Sequence, residues 1–368
     1  MKFSLLFLIF APISISAYTL TPLSTFSAQN APTYPVGKSS RIFIVSNSAQ
    51  DVLGNLGVYV GTQVANAYTL SIPGPTGSLT PLIPAQDNVI LKLVQSGTQN
   101  STGYLYITED PNTNVSPVLS NSQKLHFQPG TNLYFALDID STFFNYPIAD
   151  KVVISETVSF RGYAGVPEQN GLMFFDSASI KGLTTYTQLL LPLPIFHFKS
   201  NGVDVQYNLY YGFQNLLSPN YSGLMMTNGF PNNQYLASSM GVGNNNYDDL
   251  TLNMVFRFNS ALNYNVTVTL QGESFAAMEP IVFPMNSSKD ASIQSTSPFA
   301  VILISAGGPF SAQFRIQNLN PKPTTVVSTT PLASTVTQST VMTTTKEAGR
   351  WNNHLLVLTI MTFLKVSM

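Results

Sequence analysis

Residues that could bind a metal ion or act on a substrate are few in this chain. Among 368 residues there are 17 Asp and Glu and 3 His, and cysteine is absent. Asp140 closes one apolar stretch, and Asp150 directly precedes an alternating stretch at residues 151–156. Calcium prefers several oxygen ligands from converging loops, so Asp140 and Asp150 are candidate calcium ligands. The alternative is that both are solvated acids at strand ends.

The remaining candidates for chemistry favour structural roles. His126 and His197 each lie between apolar residues in strand-like runs, where a lone histidine usually belongs to the core. Tyr207, Tyr210 and Tyr211 form a cluster that could stack on sugars, but strand tyrosines more often pack against cross-strand neighbours. The absence of cysteine excludes thiol catalysis and cysteine-ligated zinc.

No motif for a nucleophilic serine, a zinc pair or a phosphate-binding loop is present in the sequence. We therefore expect no enzymatic activity and no cofactor. The alternative is an enzyme whose two catalytic carboxylates are distant in the sequence and come together only in the folded chain, as in glycoside hydrolases.

The composition favours an extracellular protein. Charged residues make up 9% of the chain and the net charge is -1, so the sequence lacks the basic surface of a nucleic-acid-binding protein. Asn-X-Ser/Thr sequons predict N-glycosylation at exposed sites. These sequons begin at Asn100, Asn114, Asn220, Asn265 and Asn286.

Both ends of the chain resemble targeting segments. Residues 1–17 combine Lys2, a short apolar run and small residues ending at Ala17, which is typical of a secretory signal peptide and too short for a membrane span. Residues 321–347 are rich in Thr, Ser and Pro and predict a disordered, O-glycosylated stalk. Residues 348–368 resemble a glycosylphosphatidylinositol anchor signal, with Ala348 and Gly349 as candidate attachment residues. The alternative is a secreted protein with an apolar terminus.

The region between the two ends predicts many short strands separated by turn residues, and no amphipathic helix. The central prediction is a hairpin over residues 88–108, and residues 299–317 repeat its pattern. A further strand is predicted at residues 68–72, and the polar stretch up to residue 122 is interpreted as a linker. Residues 189–198 contain Pro192 and Pro194, which predicts an edge strand or an extended crossing segment. The fold class is therefore all-β, built from antiparallel sandwiches or barrels.

The first part of the chain resembles a CUB domain, in particular the CUB-like domains of secreted nematode proteins. The resemblance rests on residues 40–46, 55–61, 88–94 and 103–107 and on their order and spacing. It implies a β-sandwich (jelly-roll) unit at residues 18–116, followed by a second β region at residues 120–320 with one or two such units. CUB domains usually contain paired cysteines, which this chain lacks, and their calcium-binding members place an acid where this chain has Val60.

The resemblance implies adhesion or recognition outside the cell, in a family associated with innate defence and stress responses. We expect a non-catalytic, secreted cell-surface protein that binds an unidentified extracellular protein or glycan and is tethered to the membrane by a lipid. The alternatives are a structural coat or matrix glycoprotein and a glycan-acting enzyme with an unrecognised carboxylate site.

Overall fold

The protein is almost entirely β-structure. The computed structural model describes residues 18–27, 31–96, 101–119, 123–139, 146–169, 171–203, 205–212, 220–227, 230–231, 237–243, 250–258, 265–271, 281–283, 296–297 and 299–318. The described residues belong to one unit that ends at Pro321. The expected signal peptide, stalk and anchor signal lie outside them.

The first part of the chain forms two sheets and two short helices. Its described strands are β1 (Thr19–Pro22), β2 (Thr33–Val36), β3 (Arg41–Val45), β4 (Leu56–Val60), β5 (Gln63–Asn66), β6 (Val89–Gln95) and β7 (Tyr104–Thr108), and its helices are α1 (Gln50–Leu53) and α2 (Ala67–Ser71). Sheet A has the strand order β1-β7-β3, and sheet B has the order β2-β6-β4-β5. All neighbours in both sheets are antiparallel.

The rest of the described chain forms three more sheets. Its strands are β8 (Thr113–Pro117), β9 (Gln123–His126), β10 (Gly130–Phe135), β11 (Tyr146–Ile154), β12 (Phe160–Ala164), β13 (Met173–Asp176), β14 (Thr185–Leu190), β15 (Ile195–Ser200), β16 (Val205–Gly212), β17 (Asn220–Met226), β18 (Ala237–Gly243), β19 (Leu250–Phe258), β20 (Val266–Gln271), β21 (Ile281–Phe283), β22 (Thr296–Ser297), β23 (Phe299–Ala306) and β24 (Ser311–Asn318). Short 3₁₀ helices occur at Leu23–Thr25 and Pro167–Gln169.

These strands form sheets C, D and E. Sheet C has the order β13-β12-β15-β10-β8, sheet D the order β22-β19-β24-β17-β14-β11-β16-β9, and sheet E the order β18-β23-β20-β21. Pairing is antiparallel except for β8 with β10 and β14 with β17, which are parallel.

Four of the sheets stack in the order B, A, C, D. Ile42 and Leu105 of sheet A pack with Val58 of sheet B in one core, and the opposite face of sheet A packs through Phe43 against Leu133 of sheet C. Strands β3 and β7 are therefore buried on both faces, which explains their continuous apolar runs. A third core joins sheets C and D and is rich in aromatic rings. The all-β, sandwich-like architecture is confirmed.

Two predicted hairpins are wrong, and the predicted crossing segment is confirmed. The strands at residues 88–108 exist as β6 and β7, but they do not form a hairpin, because β6 belongs to sheet B and β7 to sheet A. The chain likewise changes sheets between β23 and β24. The crossing segment with Pro192 and Pro194 is confirmed, since it connects β14 of sheet D to β15 of sheet C.

The predicted strand at residues 68–72 is instead helix α2. Asn66 caps this helix by accepting a hydrogen bond from the Tyr68 amide at 2.8 Å, and the hydroxyls of Thr69 and Ser71 bond to backbone carbonyls. Such local bonds favour a helical turn over a strand. The predicted linker is also wrong in part, because it contains β8. The expected domain boundary at residue 116 falls within this strand, which pairs with β10.

Candidate functional site

Sheets A and B together form the first sandwich. A solvent-open depression lies at one end of it, where α1 and α2 meet the β4–β5 pair. Its volume is about 650 Å³. Except for Gly54, its lining residues carry polar groups on their side chains. They are Gln50, Asp51, Gly54, Asn55, Asn66, Tyr68 and Thr69. Small-ligand sites of this volume are usually enclosed and mostly apolar, whereas this depression is open and polar.

Helix α2 fixes one wall of the depression. Asn66 is the last residue of β5 and the N-cap of α2, so one residue ends the strand and begins the helix. Its side-chain oxygen is used by the cap, and its amide nitrogen donates to the Gly54 carbonyl at 3.5 Å. The buried Ala67 anchors the helix to the core of the first sandwich. The position of α2 is therefore fixed by the hydrogen bonds of Asn66 and by the packing of Ala67.

Helix α1 fixes the opposite wall. Leu53 is 1% exposed and anchors α1 in the same core. The Asn55 side chain donates to the Asp51 carbonyl at 2.7 Å, and the Asn55 carbonyl accepts two bonds from Ser96 at 2.9 and 3.0 Å. In the described structure, the Gln50 amide and the Asp51 carboxylate make no hydrogen bond, so both can bond to a ligand.

The lining residues of the depression offer hydrogen-bonding groups but contain no pair of carboxylates. They offer amide donors and acceptors, a hydroxyl, a phenol and one carboxylate. The two-carboxylate mechanism of glycoside hydrolysis requires a second acid, and the lining contains only Asp51. Its chemistry suits an uncharged ligand with many hydroxyl groups.

The structure places the two candidate calcium ligands differently. Asp140 lies outside the described residues. Asp150 is half-buried in β11, directly before Lys151, whose φ of 53° marks an irregularity in the pairing with β16. Burial, followed by the charge of Asp150, raises the pKa of Tyr221 above its usual value. Within the described ranges, His, Asp and Glu form no group of three or more that could hold a metal ion.

The described sequons lie in different environments. Asn265 is exposed immediately before β20, as a glycosylated residue would be. Asn114 lies in β8 with a half-buried side chain that donates to Asn132 at 3.5 Å. Asn220 is the first residue of β17, and its side chain is not described. Asn100, Asn286, Ala348 and Gly349 lie outside the described residues, so glycosylation and lipid attachment there stay predictions.

His197 has the contacts of a core residue. It is 2% exposed, and its ring stacks on Tyr163 with centroids 5.2 Å apart. Its Nδ1 lies 2.9 Å from the Gly165 carbonyl oxygen, and a carbonyl only accepts, so Nδ1 carries the proton. Burial, with a smaller contribution from Lys199, lowers its pKa to about 4. The side chain of His126 is not described.

The tyrosine cluster is divided between the core and the surface. Tyr207 is buried, and its hydroxyl lies 2.6 Å from that of Tyr134. The Tyr211 hydroxyl accepts from the Asp138 amide at 3.0 Å, and its ring packs against the core between sheets C and D. Tyr210 is half-buried. The packing interpretation therefore holds for Tyr207 and Tyr211.

Sequence reasoning missed the depression because it assigned residues 68–72 to a strand. The signal was Asn66 followed by Tyr68, Thr69 and Ser71, since Asn is a favoured N-cap residue. This pattern predicts a helical turn that begins after Asn66, with Asn66 at the junction of a strand and a helix.

No helix among the described residues has the length and apolar character needed to cross a membrane. The expected anchor signal is outside this part of the chain.

Comparisons with known proteins give no family. No family model matches the chain, and no curated protein matches it. Among solved structures, the CUB1-EGF-CUB2 domain of human MASP-1/3 aligns at 10% identity and a TM-score of 0.20, covering 81% of this chain and 99% of that one. The lipid-containing bacteriophage PM2 aligns at 8% identity and a TM-score of 0.17, covering 82% and 100%. The infectious bursal disease virus VP2 particle aligns at 9% identity and a TM-score of 0.15, covering 83% and 73%. Scores this low assign neither a family nor a function.

Proposed function

We propose that this protein is a non-catalytic recognition protein of the cell exterior, and that it binds its ligand in the depression between α1 and α2. The observation that carries this proposal is a depression with hydrogen-bonded walls, in which the Gln50 amide and the Asp51 carboxylate make no hydrogen bond within the described structure. The framework holding the walls uses backbone and cap bonds, so ligand binding requires no rearrangement of the fold. Preorganisation of this kind favours binding.

Secretion and surface tethering are part of the same proposal. They are supported by the signal-peptide pattern of residues 1–17, the sequons, the low charge and the Thr/Ser/Pro-rich stretch before the apolar terminus. A role in innate defence or the stress response rests on the resemblance of the first part of the chain to CUB-like domains. Release of the protein from intact cells by phosphatidylinositol-specific phospholipase C would support the lipid tether, and retention after treatment would contradict it.

Binding to intact cells tests the recognition function. The full chain, carrying an epitope tag after Ala17 and captured on fluorescent beads, would be mixed with a panel of bacterial, fungal and animal cells. We expect it to bind at least one cell type and to lose that binding in a Gln50→Ala/Asp51→Ala double variant. Absence of binding across the panel, or equal binding by the variant, would argue against the proposal.

A control variant removes the same chemical groups elsewhere. Gln206→Ala/Glu156→Ala deletes one amide and one carboxylate from exposed positions of the second part of the chain. Cell binding by this variant should equal that of the native protein.

A structural coat protein is the second candidate function, and one observation favours it. Strand β5 forms an edge of sheet B, and Val64 on this strand is 70% exposed. Exposed apolar edge strands promote pairing between copies. A coat protein would self-associate in sedimentation equilibrium at micromolar concentration, and Val64→Lys would reduce that association. A monomer under these conditions would argue against the coat function.

A further inference from the structure

The exposed side chain of Tyr59 lies over Gly57 on the outer face of sheet B. A Cβ atom at Gly57 would lie 2.8 Å from Cε2, 3.0 Å from Oη and 3.1 Å from Cζ of Tyr59. The ring therefore covers the backbone of Gly57 at a distance that only glycine permits. Tyr59 is nevertheless 41% exposed.

This ring adjoins the depression. Gly57 on β4 pairs directly with Asn66 on β5, and the α-carbons of such antiparallel pairs are about 4.5–5.5 Å apart. Asn66 is one of the lining residues. The ring over Gly57 therefore lies next to Asn66, at the edge of the depression.

We propose that Tyr59 and the depression together form a single site for a neutral oligosaccharide, with one sugar ring stacked on Tyr59 and the hydroxyls of the next bonded to Gln50, Asp51 and Asn55. This inference rests on the proposed recognition function and names its ligand class. The apolar C–H face of a pyranose matches an exposed aromatic face, and its hydroxyls both donate and accept hydrogen bonds. The carboxylate of Asp51 repels an acidic sugar in the depression, whereas Lys92, the cross-strand partner of Tyr59, places a positive charge beside the stacked sugar.

A purely structural explanation of the ring must be separated from this one. Aromatic side chains shield glycines in neighbouring strand positions and stabilise the sheet. In that case Tyr59 would matter for stability but not for binding. The two explanations differ in what happens when the phenol hydroxyl, the ring and the glycine are altered separately.

The experiment uses the epitope-tagged full chain on beads, probed with fluorescent polymers that carry neutral or sialylated oligosaccharides. We expect binding of at least one neutral oligosaccharide and weaker binding of its sialylated form, because of Asp51. Tyr59→Ala should reduce this binding at least about tenfold, whereas Tyr59→Phe, which keeps the ring, should stay within about threefold of the native protein. Gly57→Val should also weaken binding, because its side chain lifts the ring from the sheet.

The matched control is Ile90→Ala. Ile90 is 51% exposed and lies on the neighbouring strand β6, where it pairs with Pro35. The Ile90→Ala variant should bind the polymers as strongly as the native protein does. Circular dichroism and thermal unfolding of every variant report whether the fold is retained.

Each outcome decides one point. Failure of all neutral polymers, with cell binding intact, would overturn the oligosaccharide proposal and leave the recognition function standing. Loss of both would overturn the two together. A Tyr59→Ala variant that melts at a lower temperature yet binds a polymer as the native protein does would show that the ring only shields Gly57, which also overturns the proposal.

Discussion

Gln313 has no exposed surface, although its side chain is an amide. From β24 it accepts a hydrogen bond from the Asp176 backbone amide at 2.8 Å and donates one to the Tyr186 hydroxyl at 2.9 Å. Asp176 ends β13 of sheet C, while Tyr186 lies on β14 of sheet D. One residue therefore satisfies buried polar groups from two sheets, and an unsatisfied buried group is costly.

The first prediction concerns this amide. Gln313→Leu should lower the free energy of unfolding by about 2–4 kcal/mol, since it leaves the Asp176 amide and the Tyr186 hydroxyl without their partner. Gln317→Leu is the control, because Gln317 lies on the same strand and is exposed. It should change stability by less than about 0.5 kcal/mol. Urea unfolding measures both, and equal midpoints for the two variants would refute the role given to Gln313.

The second prediction concerns the pH dependence of stability through His197. Its pKa is about 4 in the folded protein and near 6.5 in the unfolded chain. Between these pH values the unfolded chain binds a proton that the folded protein does not. The free energy of unfolding should therefore fall as the pH falls from 6.5 towards 4, by up to about 3 kcal/mol.

His197→Gln provides the test, since glutamine does not titrate. Its stability should change less than that of the native protein between pH 6.5 and 5, a range above the ordinary pKa of carboxylates. Denaturant unfolding at fixed pH values measures the slope. Parallel profiles for the two proteins would show that this ring does not set the pH dependence.

At the scale of elements, the sequence was informative about strands and uninformative about their partners. Alternation identified β6 correctly, and the tyrosines and β-branched residues of 104–108 identified β7, because both signals are local. Whether two consecutive strands pair or cross between sheets depends on the connecting loop and on the faces they bury. The continuous run of apolar and aromatic residues in β7 was the missed signal. A strand with one face in solvent would alternate between apolar and polar residues.

The turn before β7 imposes a specific requirement on residue 103. Gly103 has φ of 108°, and a Cβ there would lie 2.0 Å from the Val45 carbonyl oxygen. Gly103→Ala should therefore destabilise the protein by at least about 3 kcal/mol, through strain and displacement of β3. Gly182→Ala is the matched control, as Gly182 has φ of 74° and open space around it. It should cost about 1 kcal/mol, and thermal unfolding compares the two.

The candidate site also could not be predicted from the sequence, because it depends on which residues become neighbours in the fold. Gln50, Asn55 and Asn66 are ordinary polar surface residues in the sequence, and only the folding of α1 and α2 against the β4–β5 pair brings them together. Tyr59 lies in the stretch 55–61 that carried the resemblance to CUB domains, but its position over Gly57 depends on side-chain orientation. Sequence patterns identify which residues are apolar or polar, whereas a binding surface depends on which of them become neighbours.

At the scale of the whole molecule, sheet A is shared between two cores. One face of sheet A packs in the core with sheet B, and the other face packs in the core with sheet C. The Pro167–Gln169 turn adds a polar link, since Glu168 accepts hydrogen bonds from Tyr106 at 2.9 Å and from Thr108 at 2.8 Å. Stability in the first sandwich is therefore connected physically to stability in the second.

This connection predicts one cooperative unfolding transition for sheets A to D. Leu93→Ala weakens the core between sheets A and B, and Leu209→Ala weakens the core between sheets C and D, with both leucines nearly unexposed in the native protein. Each substitution should cost about 2–5 kcal/mol. Because sheet A cannot lose either partner without exposing apolar surface, both substitutions should shift the same calorimetric transition by similar amounts. Two separable transitions, each responding to only one of the substitutions, would mean instead that the first sandwich folds independently of the rest.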